Sequence, residues 1–443
     1  MNSKKQNTIS IDNIYNLDGR VPVLKAIPFG LQHVLAMFVS NLAPITIVAA
    51  AAQPALSQEQ VGILLQNAMF IAGLGTLIQL YPIWKIGSRL PVVMGISFTF
   101  VTILCTIAAN YGYPTMLGAV LVGGILEGTI GLFGGRLFRL IKPIVSACVV
   151  SGIGLSLFTV GVRSLGGGYA NDFGSPSNLI IGVTTLIVCL LWSTFAKGYL
   201  KHLSVLAGLI VGYILSIFFG KIDFSTVMSG GIISFPHFLM FIPEFNIGAI
   251  LSVFLIFLVS ATETIGDTTA LVSSGLNRQI TTDEISGSLA VDGYVSAVSS
   301  LFGCSPITSF SQNVGLINMT KVVNRFTIMT GAVAMILGGL IPPIGNFFAS
   351  LPQPVLGGCT IMMFGQILIS GMQMIAACGF NQRNITIASV SLSLGVGLTA
   401  ASEADIWQAF PKVVQDVFSG NVVAVVFIVA MVLSYILPEN SQA

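Results

Sequence analysis

Fourteen apolar segments joined by polar turns dominate this chain, and they limit its fold more than any single motif does. They fall at 29–50, 61–81, 90–109, 116–133, 140–159, 179–195, 203–219, 247–270, 286–301, 305–320, 326–347, 355–377, 385–400 and 422–437. Each is about as long as a bilayer core requires. The basic residues support the count. With both termini cytoplasmic, fifteen Lys and Arg lie inside, among them Lys4, Lys5, Lys85, Arg89, Arg136, Arg139 and Lys321. Only Arg163, Lys221 and Lys412 lie outside, the asymmetry that membrane insertion imposes. Composition agrees: 54% of residues are apolar and 8% charged, with mean hydropathy +0.92, against about 25% charged in a soluble protein. The run 403–417, with Trp407, Phe410, Val413, Val414 and Val417 on one face, reads as interfacial.

One segment is unlike the rest. Residues 305–320 carry Ser305, Pro306, Thr308, Ser309, Ser311, Gln312, Asn313, Gly315, Asn318 and Thr320 at membrane depth. Polar backbone is tolerated there only when protein or a water-filled cavity surrounds it. A Ser/Thr-rich helix inside a bundle is the plainer alternative, but broken helices near the midplane are how many transporters build a substrate site. Fourteen spans divide into seven and seven. Because seven is odd, two such halves insert with opposite orientation, an inverted repeat. The short Gly-interrupted stretch 90–100 in segment three is then the counterpart of 305–320 in segment ten. Each is expected to run extended to midmembrane and turn into a short helix, so that two half-helix N-termini converge.

The ionisable residues within spans are His33, Glu127, Glu263, Asp267 and Asp292. An intramembrane carboxylate marks a pathway or proton relay by default. Glu263 and Asp267, four apart, share a helix face, with Thr262, Thr264, Thr268 and Thr269 around them. Carboxylates this close resist simultaneous ionisation, which suits proton coupling. Asp292 fits either a helix-end carboxylate or a bond to segment eight or ten. His33 could titrate but is expected to bond a polar neighbour, and Glu127 to be a hydrogen-bond partner within the bundle, with a gating role as the alternative. The six cysteines are scattered and read as small buried hydrophobes, with no metal or cofactor implied. No nucleotide fingerprint or hydrolase motif appears, which leaves an enzyme or a primary pump without support. Too few basic residues cluster to bind nucleic acid.

Ser311-Gln-Asn-Val-Gly315 followed by Thr320-Lys321 resembles the signature of the nucleobase–ascorbate transporters. Leu31-Gln-His33, Gly95-Ile-Ser-Phe-Thr-Phe100, Glu263-Thr-Ile-Gly-Asp267, Asp292-Gly293, Pro354-Val-Leu-Gly-Gly358 and Arg383-Asn384 are similar to further motifs of that family, in the same order. The resemblance implies an all-α polytopic fold of two inverted seven-span repeats. A core domain (27–134 and 246–348) would move against a gate domain (135–245 and 349–443), preceded by a cytoplasmic arm (1–26). It implies an elevator-type proton or sodium symporter in the plasma (inner) membrane, commonly a homodimer through the gate. The base would lie between Phe98 and the Ser311–Gln312 backbone, near Ser97 and Asn313, with Glu263 accepting ring N–H bonds. Asp267, Asp292 and His33 are candidates for coupling or structural support. Gln312 resembles the xanthine and uric acid branch, where uracil permeases carry Glu, and at Asp267 His. Val314 departs from the Asn of many xanthine and urate carriers, so the two purines stay unresolved. The alternatives are a uracil or broad nucleobase permease and an anion exchanger of the sulfate-carrier type.

Overall fold

The computed structural model describes residues 9–134, 141–224, 227, 231–401 and 406–438. Lys4, Lys5, Arg136, Arg139, Leu140 and Glu403, which enter the sequence reading, lie outside them. The fold is almost wholly helical. In chain order the helices are α1 (Val23–Ala51), α2 (Gln58–Leu80), α3 (Val101–Tyr111), α4 (Tyr113–Gly134), α5 (Pro143–Leu165), α6 (Pro176–Phe195), α7 (Ser204–Phe218) and α8 (Ile247–Gly275). There follow α9 (Thr282–Leu301), α10 (Ser311–Thr320), α11 (Arg325–Gly339), α12 (Pro342–Ala349), α13 (Gln353–Ala377), α14 (Gln382–Ala400), α15 (Lys412–Phe418) and α16 (Val422–Ile436). Local chemistry sets their starts. Ser57 with Gln60 and Thr281 with Glu284 form reciprocal capping boxes on α2 and α9, which satisfy orphan amides at the first turn. Asn246, Asn324, Asn381 and Asn421 cap α8, α11, α14 and α16. Pro143 and Pro176 open α5 and α6, where the missing N–H costs nothing.

Six of these helices are long and apolar enough to cross a bilayer, or eight if each of two bent pairs is one span. Length alone therefore reaches fewer spans than the fourteen expected. Segments three and ten account for two of the missing spans, since they enter as strands and turn helical only partway; the count of fourteen is not reached. The two bent pairs are α11 with α12, at 80°, and α15 with α16, at 99°. The second angle turns α15, expected to be interfacial, across its neighbouring span.

The two extended stretches pair with each other. Strand β1 (Met94–Ile96) lies antiparallel to β2 (Ile307–Ser309), with Met94 opposite Ser309, Gly95 opposite Thr308 and Ile96 opposite Ile307. The ladder runs on through Ser97 N to Pro306 O and Phe310 N to Val93 O, both 3.0 Å. A lone two-stranded ribbon is marginal in water, and here its outer edges would be costly in a membrane. Side chains satisfy them. Asn41 Oδ1 accepts from Ile96 N at 2.6 Å, Thr76 Oγ1 from Met94 N at 3.0 Å, and Ser296 Oγ from Ile307 N at 3.1 Å. Only glycine serves at position 95, because an added Cβ would stand 2.5 Å from Asn41 Oδ1.

Around this ribbon, α1, α2, α4, α8, α9 and α11 pack chiefly on one another, as do α5, α6, α7, α13, α14 and α16. The arm does not float free: Ile14, Val21, Ala26 and Val322 share a small core, and Asn324 Nδ2 donates to the carbonyls of Asn16 and Gly19, both at 3.0 Å.

Candidate functional site

The strand crossing aims two short helices at one place. β1 passes through Ser97 and the turn Phe98–Phe100 into α3, and β2 passes through Phe310 into α10. Where they meet lies a cavity of about 60 Å³ lined by Ser97, Phe98, Thr99, Glu263, Ser311 and Gln312. Val150 and Ile153 of α5 and Ile367 of α13 close its remaining side. Phe98 is held edge-on by Phe364 of α13, centroids 5.4 Å apart and planes at 80°. The residues expected at a substrate site are thus brought together, with one exception. Asn313 is buried behind the site, near His33 of α1. Neither its amide atoms nor His33 Nδ1 meets hydrogen-bond geometry with any described group.

Glu263 joins the two halves of the crossing. Thr99 Oγ1 donates to its Oε2 at 2.8 Å, and Ser311 Oγ lies 3.2 Å from its Oε1. The same Ser311 hydroxyl donates to Asp267 Oδ2 at 2.7 Å. One hydroxyl proton therefore stands between two carboxyl groups. Gln312 faces the cavity, and its amide has no hydrogen-bond partner among the described residues.

Asp292 is elsewhere. It sits mid-α9, not at a helix end, and its Oδ2 accepts from Ser309 N at 3.2 Å and from the Thr264 hydroxyl. Ser309 Oγ and Thr264 Oγ1 are 2.9 Å apart. Asp292 thus bonds segments eight and ten together and braces β2 from behind. Glu127 corrects the sequence reading. It is fully buried in α4, yet neither carboxylate oxygen has a hydrogen-bond partner among the described residues. The bundle partner expected for it is not there; α4 meets α9 here through the close approach of Gly124 and Gly128 to Gly293, which brings backbone rather than a side-chain donor.

Sequence reasoning passed over Asn41, Thr76, Thr99 and Ser296. Each is a lone small polar residue in an apolar run, the usual look of interhelical glue. Only Thr99, one residue from Phe98, carried a local signal. Among the described residues no three His, Cys, Asp or Glu gather as a metal site.

Residues 24–404 match the family model Xan_ur_permease, described as "Permease family". The chain belongs to this family. It is 34% identical to the xanthine permease XanQ of Escherichia coli K12, a match covering 96% of this chain and 94% of that one. It is 32% identical to the xanthine permease of Bacillus subtilis, over 95% of each chain. Identity to the uric acid transporter UacT of Escherichia coli is 32%, over 90% of this chain and 83% of that one. Among solved structures, the transmembrane domain of the cyanobacterial bicarbonate transporter BicA fits with a TM-score of 0.61 at 16% identity, covering 87% of this chain and 97% of that one. The murine anion transporter Slc26a9, in its inward-facing state, fits with 0.64 at 11% identity, covering 93% and 68%. At such identities these two speak to the fold alone. The permease is a multi-pass membrane protein, and its relatives are transporters rather than enzymes.

Proposed function

We propose that this permease imports a purine nucleobase, xanthine or uric acid, by proton symport. The observation that carries the reading is the convergence of an acceptor, Glu263, an unengaged amide, Gln312, and an aromatic face, Phe98, on one cavity between two half-helices. A Gln amide presents a donor beside an acceptor, which suits the N–H/C=O edge of an oxidised purine. The names of the relatives point to the same substrates. Likeness in fold to anion transporters adds no substrate.

The cavity's size supports alternating access. About 60 Å³ is far below the ~300 Å³ at which ligand pockets begin, so α5 and α13 have to withdraw from the strand crossing to admit a base. The fourteen-span inverted repeat, with α1–α4 and α8–α12 as core and α5–α7 and α13–α16 as gate, is supported by the antiparallel crossing and by the two packing groups. A larger groove, about 610 Å³, separates α8 from α5 and α13 beside Pro143, Thr269 and Cys378. On the basic, cytoplasmic side of the topology, it is the exit route in an inward-facing state. At the opposite end Tyr111 Oη donates to Asp416 Oδ1 at 2.5 Å, joining α3 to α15. Coupling is assigned to the Glu263–Ser311–Asp267 group, where a carboxyl proton on either acid can donate to Ser311 oxygen while Ser311 donates to the other. The excess of basic residues on one side supports cytoplasmic termini in a plasma-membrane protein, and the mostly uncovered apolar face of α6 supports a homodimer through the gate.

The test is accumulation of labelled xanthine against its gradient, with and without an uncoupler, in competition with urate, uracil, hypoxanthine and adenine. Uphill uptake that collapses with the uncoupler and yields to urate is expected. Uptake that only equilibrates, or that uracil alone inhibits, refutes the reading.

A further inference from the structure

The two acids on α8 are served unequally, and the difference points to a role for Thr99. Asp267 has its hydroxyl donor, Ser311, at 2.7 Å, while the same hydroxyl reaches Glu263 only at 3.2 Å. A single proton favours the shorter contact. The bond that fixes Glu263 therefore comes from the other strand, where Thr99 Oγ1 donates to Oε2 at 2.8 Å. Thr99 is itself tightly placed. It is buried, it lies in the Phe98–Phe100 turn between β1 and α3, and it lines the same cavity as Phe98 and Glu263. Its neighbour in sequence thus offers the ring against which a base would lie, while Thr99 sets the rotation of the carboxylate beside that ring.

We propose that Thr99 is a positioning residue for substrate recognition: its hydroxyl fixes the plane of the Glu263 carboxylate so that the remaining lone pairs face the cavity. This rests on the reading of Glu263 as the group that accepts the N–H bonds of the base. A carboxylate accepts about four hydrogen bonds in its own plane. Held by Thr99 at one edge, it keeps a fixed set of acceptors for adjacent N–H donors. Freed from Thr99, it turns about its last torsion, which is broad for Glu, and presents the base with an averaged, poorer edge. The same bond ties segment three to α8, so the aim of the carboxylate is set by the strand that carries Phe98.

The experiment measures xanthine Kd on purified full-length protein for Thr99→Val, Thr99→Ser, Glu263→Gln and the Thr99→Val/Glu263→Gln pair, with thermal unfolding of each as a control for folding. Val matches Thr in shape and lacks the hydroxyl; Ser keeps the hydroxyl and lacks the methyl. Thr99→Val is expected to weaken xanthine about tenfold, the scale of one hydrogen bond to a charged group, and Thr99→Ser to stay within about threefold of wild type on the same scale. The double variant should bind no worse than Glu263→Gln alone, because Thr99 acts only through that acid. Thr99→Val with wild-type affinity, Thr99→Ser as weak as Thr99→Val, or fully additive losses in the pair each overturn the proposal. If instead Glu263→Gln binds like wild type, the reading of Glu263 fails first, and that outcome is distinct from a silent Thr99→Val beside a damaged Glu263→Gln.

Discussion

Asp292 is the residue whose removal the structure prices most directly. Its Oδ2 accepts from the backbone N–H of Ser309 and from the Thr264 hydroxyl, while its Oδ1 has no partner among the described residues. Asp292→Ala removes both acceptors at once. The Thr264 hydroxyl can turn to Ser309 Oγ, which is already 2.9 Å away, but the Ser309 N–H stays buried and unbonded at the edge of β2. An orphaned buried donor costs about 1–3 kcal/mol, and loss of the hydroxyl bond about 1 kcal/mol more. Together they amount to about 2–4 kcal/mol. Asp292→Asn behaves differently. Its amide oxygen can take the place of Oδ2, and its NH2 group falls where Oδ1 already lacks a partner, so it should lose less than the Ala variant.

Thermal unfolding in detergent should therefore rank wild type first, Asn next and Ala last, with xanthine affinity following the same order because β2 leads directly into Ser311 and Gln312. Uptake then separates bracing from coupling. If Asp292 exchanges protons, the Asn variant binds xanthine and equilibrates it but does not accumulate it. An Ala variant that melts with the wild type and binds equally well would refute the bracing argument.

Gln312→Glu replaces a group that gives and accepts with one that only accepts, so xanthine should weaken and preference should move toward bases with adjacent N–H donors, uracil among them; an unchanged order across five competing bases would make Gln312 scaffolding. His33→Asn should retain appreciable transport, since His33 Nδ1 holds no hydrogen bond among the described residues for the change to remove, and a folded, inserted but inactive variant would assign His33 a direct role. Tyr111→Phe removes the bond from α3 to Asp416, which the proposed topology puts at the outer side. If that bond favours the inward-facing state, labelling of Cys378 by an impermeant maleimide from the cytoplasmic side should slow, a clean readout because the other five cysteines are buried; an unchanged rate would remove the bond from the access cycle.

What the sequence made legible, and what it hid, divides along physical lines. The crossing could be read because backbone conformation has local causes. Pro91 and Gly95 in one stretch, and Pro306 with β-branched neighbours in the other, disfavour helix and leave extended chain as the alternative. Glu263 and Asp267 could be placed on one face because helical spacing is fixed. The partners of those groups could not be read. Asn41, Thr76 and Ser296 meet the ribbon only through the docking of α1, α2 and α9, Thr99 meets Glu263 only through the docking of α8, and no spacing rule links Asn41 to Ile96. The same blindness explains Glu127, where a carboxylate in an apolar run calls for a partner. The close approach of α4 to Gly293 depends on glycines more than a third of the chain apart.

These bonds also bear on where the proposed motion can occur. Glu263 holds hydroxyls from segments three and ten, Asp292 holds segment ten to α8 and α9, and Asn41, Thr76 and Ser296 secure the ribbon's edges. Opening the crossing itself would break several buried hydrogen bonds together, each costing about 1–3 kcal/mol when a group is left unpaired. The other wall of the cavity is Val150, Ile153 and Ile367, whose contacts with the site are apolar and without hydrogen bonds. Sliding this face past the ribbon disturbs few polar contacts, the long ones from Thr102 Oγ1 to Ser156 Oγ at 3.3 Å and from Gln353 Nε2 to the Thr46 carbonyl at 3.4 Å. A cycle in which the ribbon, α8 and the bound base move as one body against α5 and α13 therefore breaks fewer bonds than one that opens the site from within. It also keeps Glu263 aimed at the base throughout the passage.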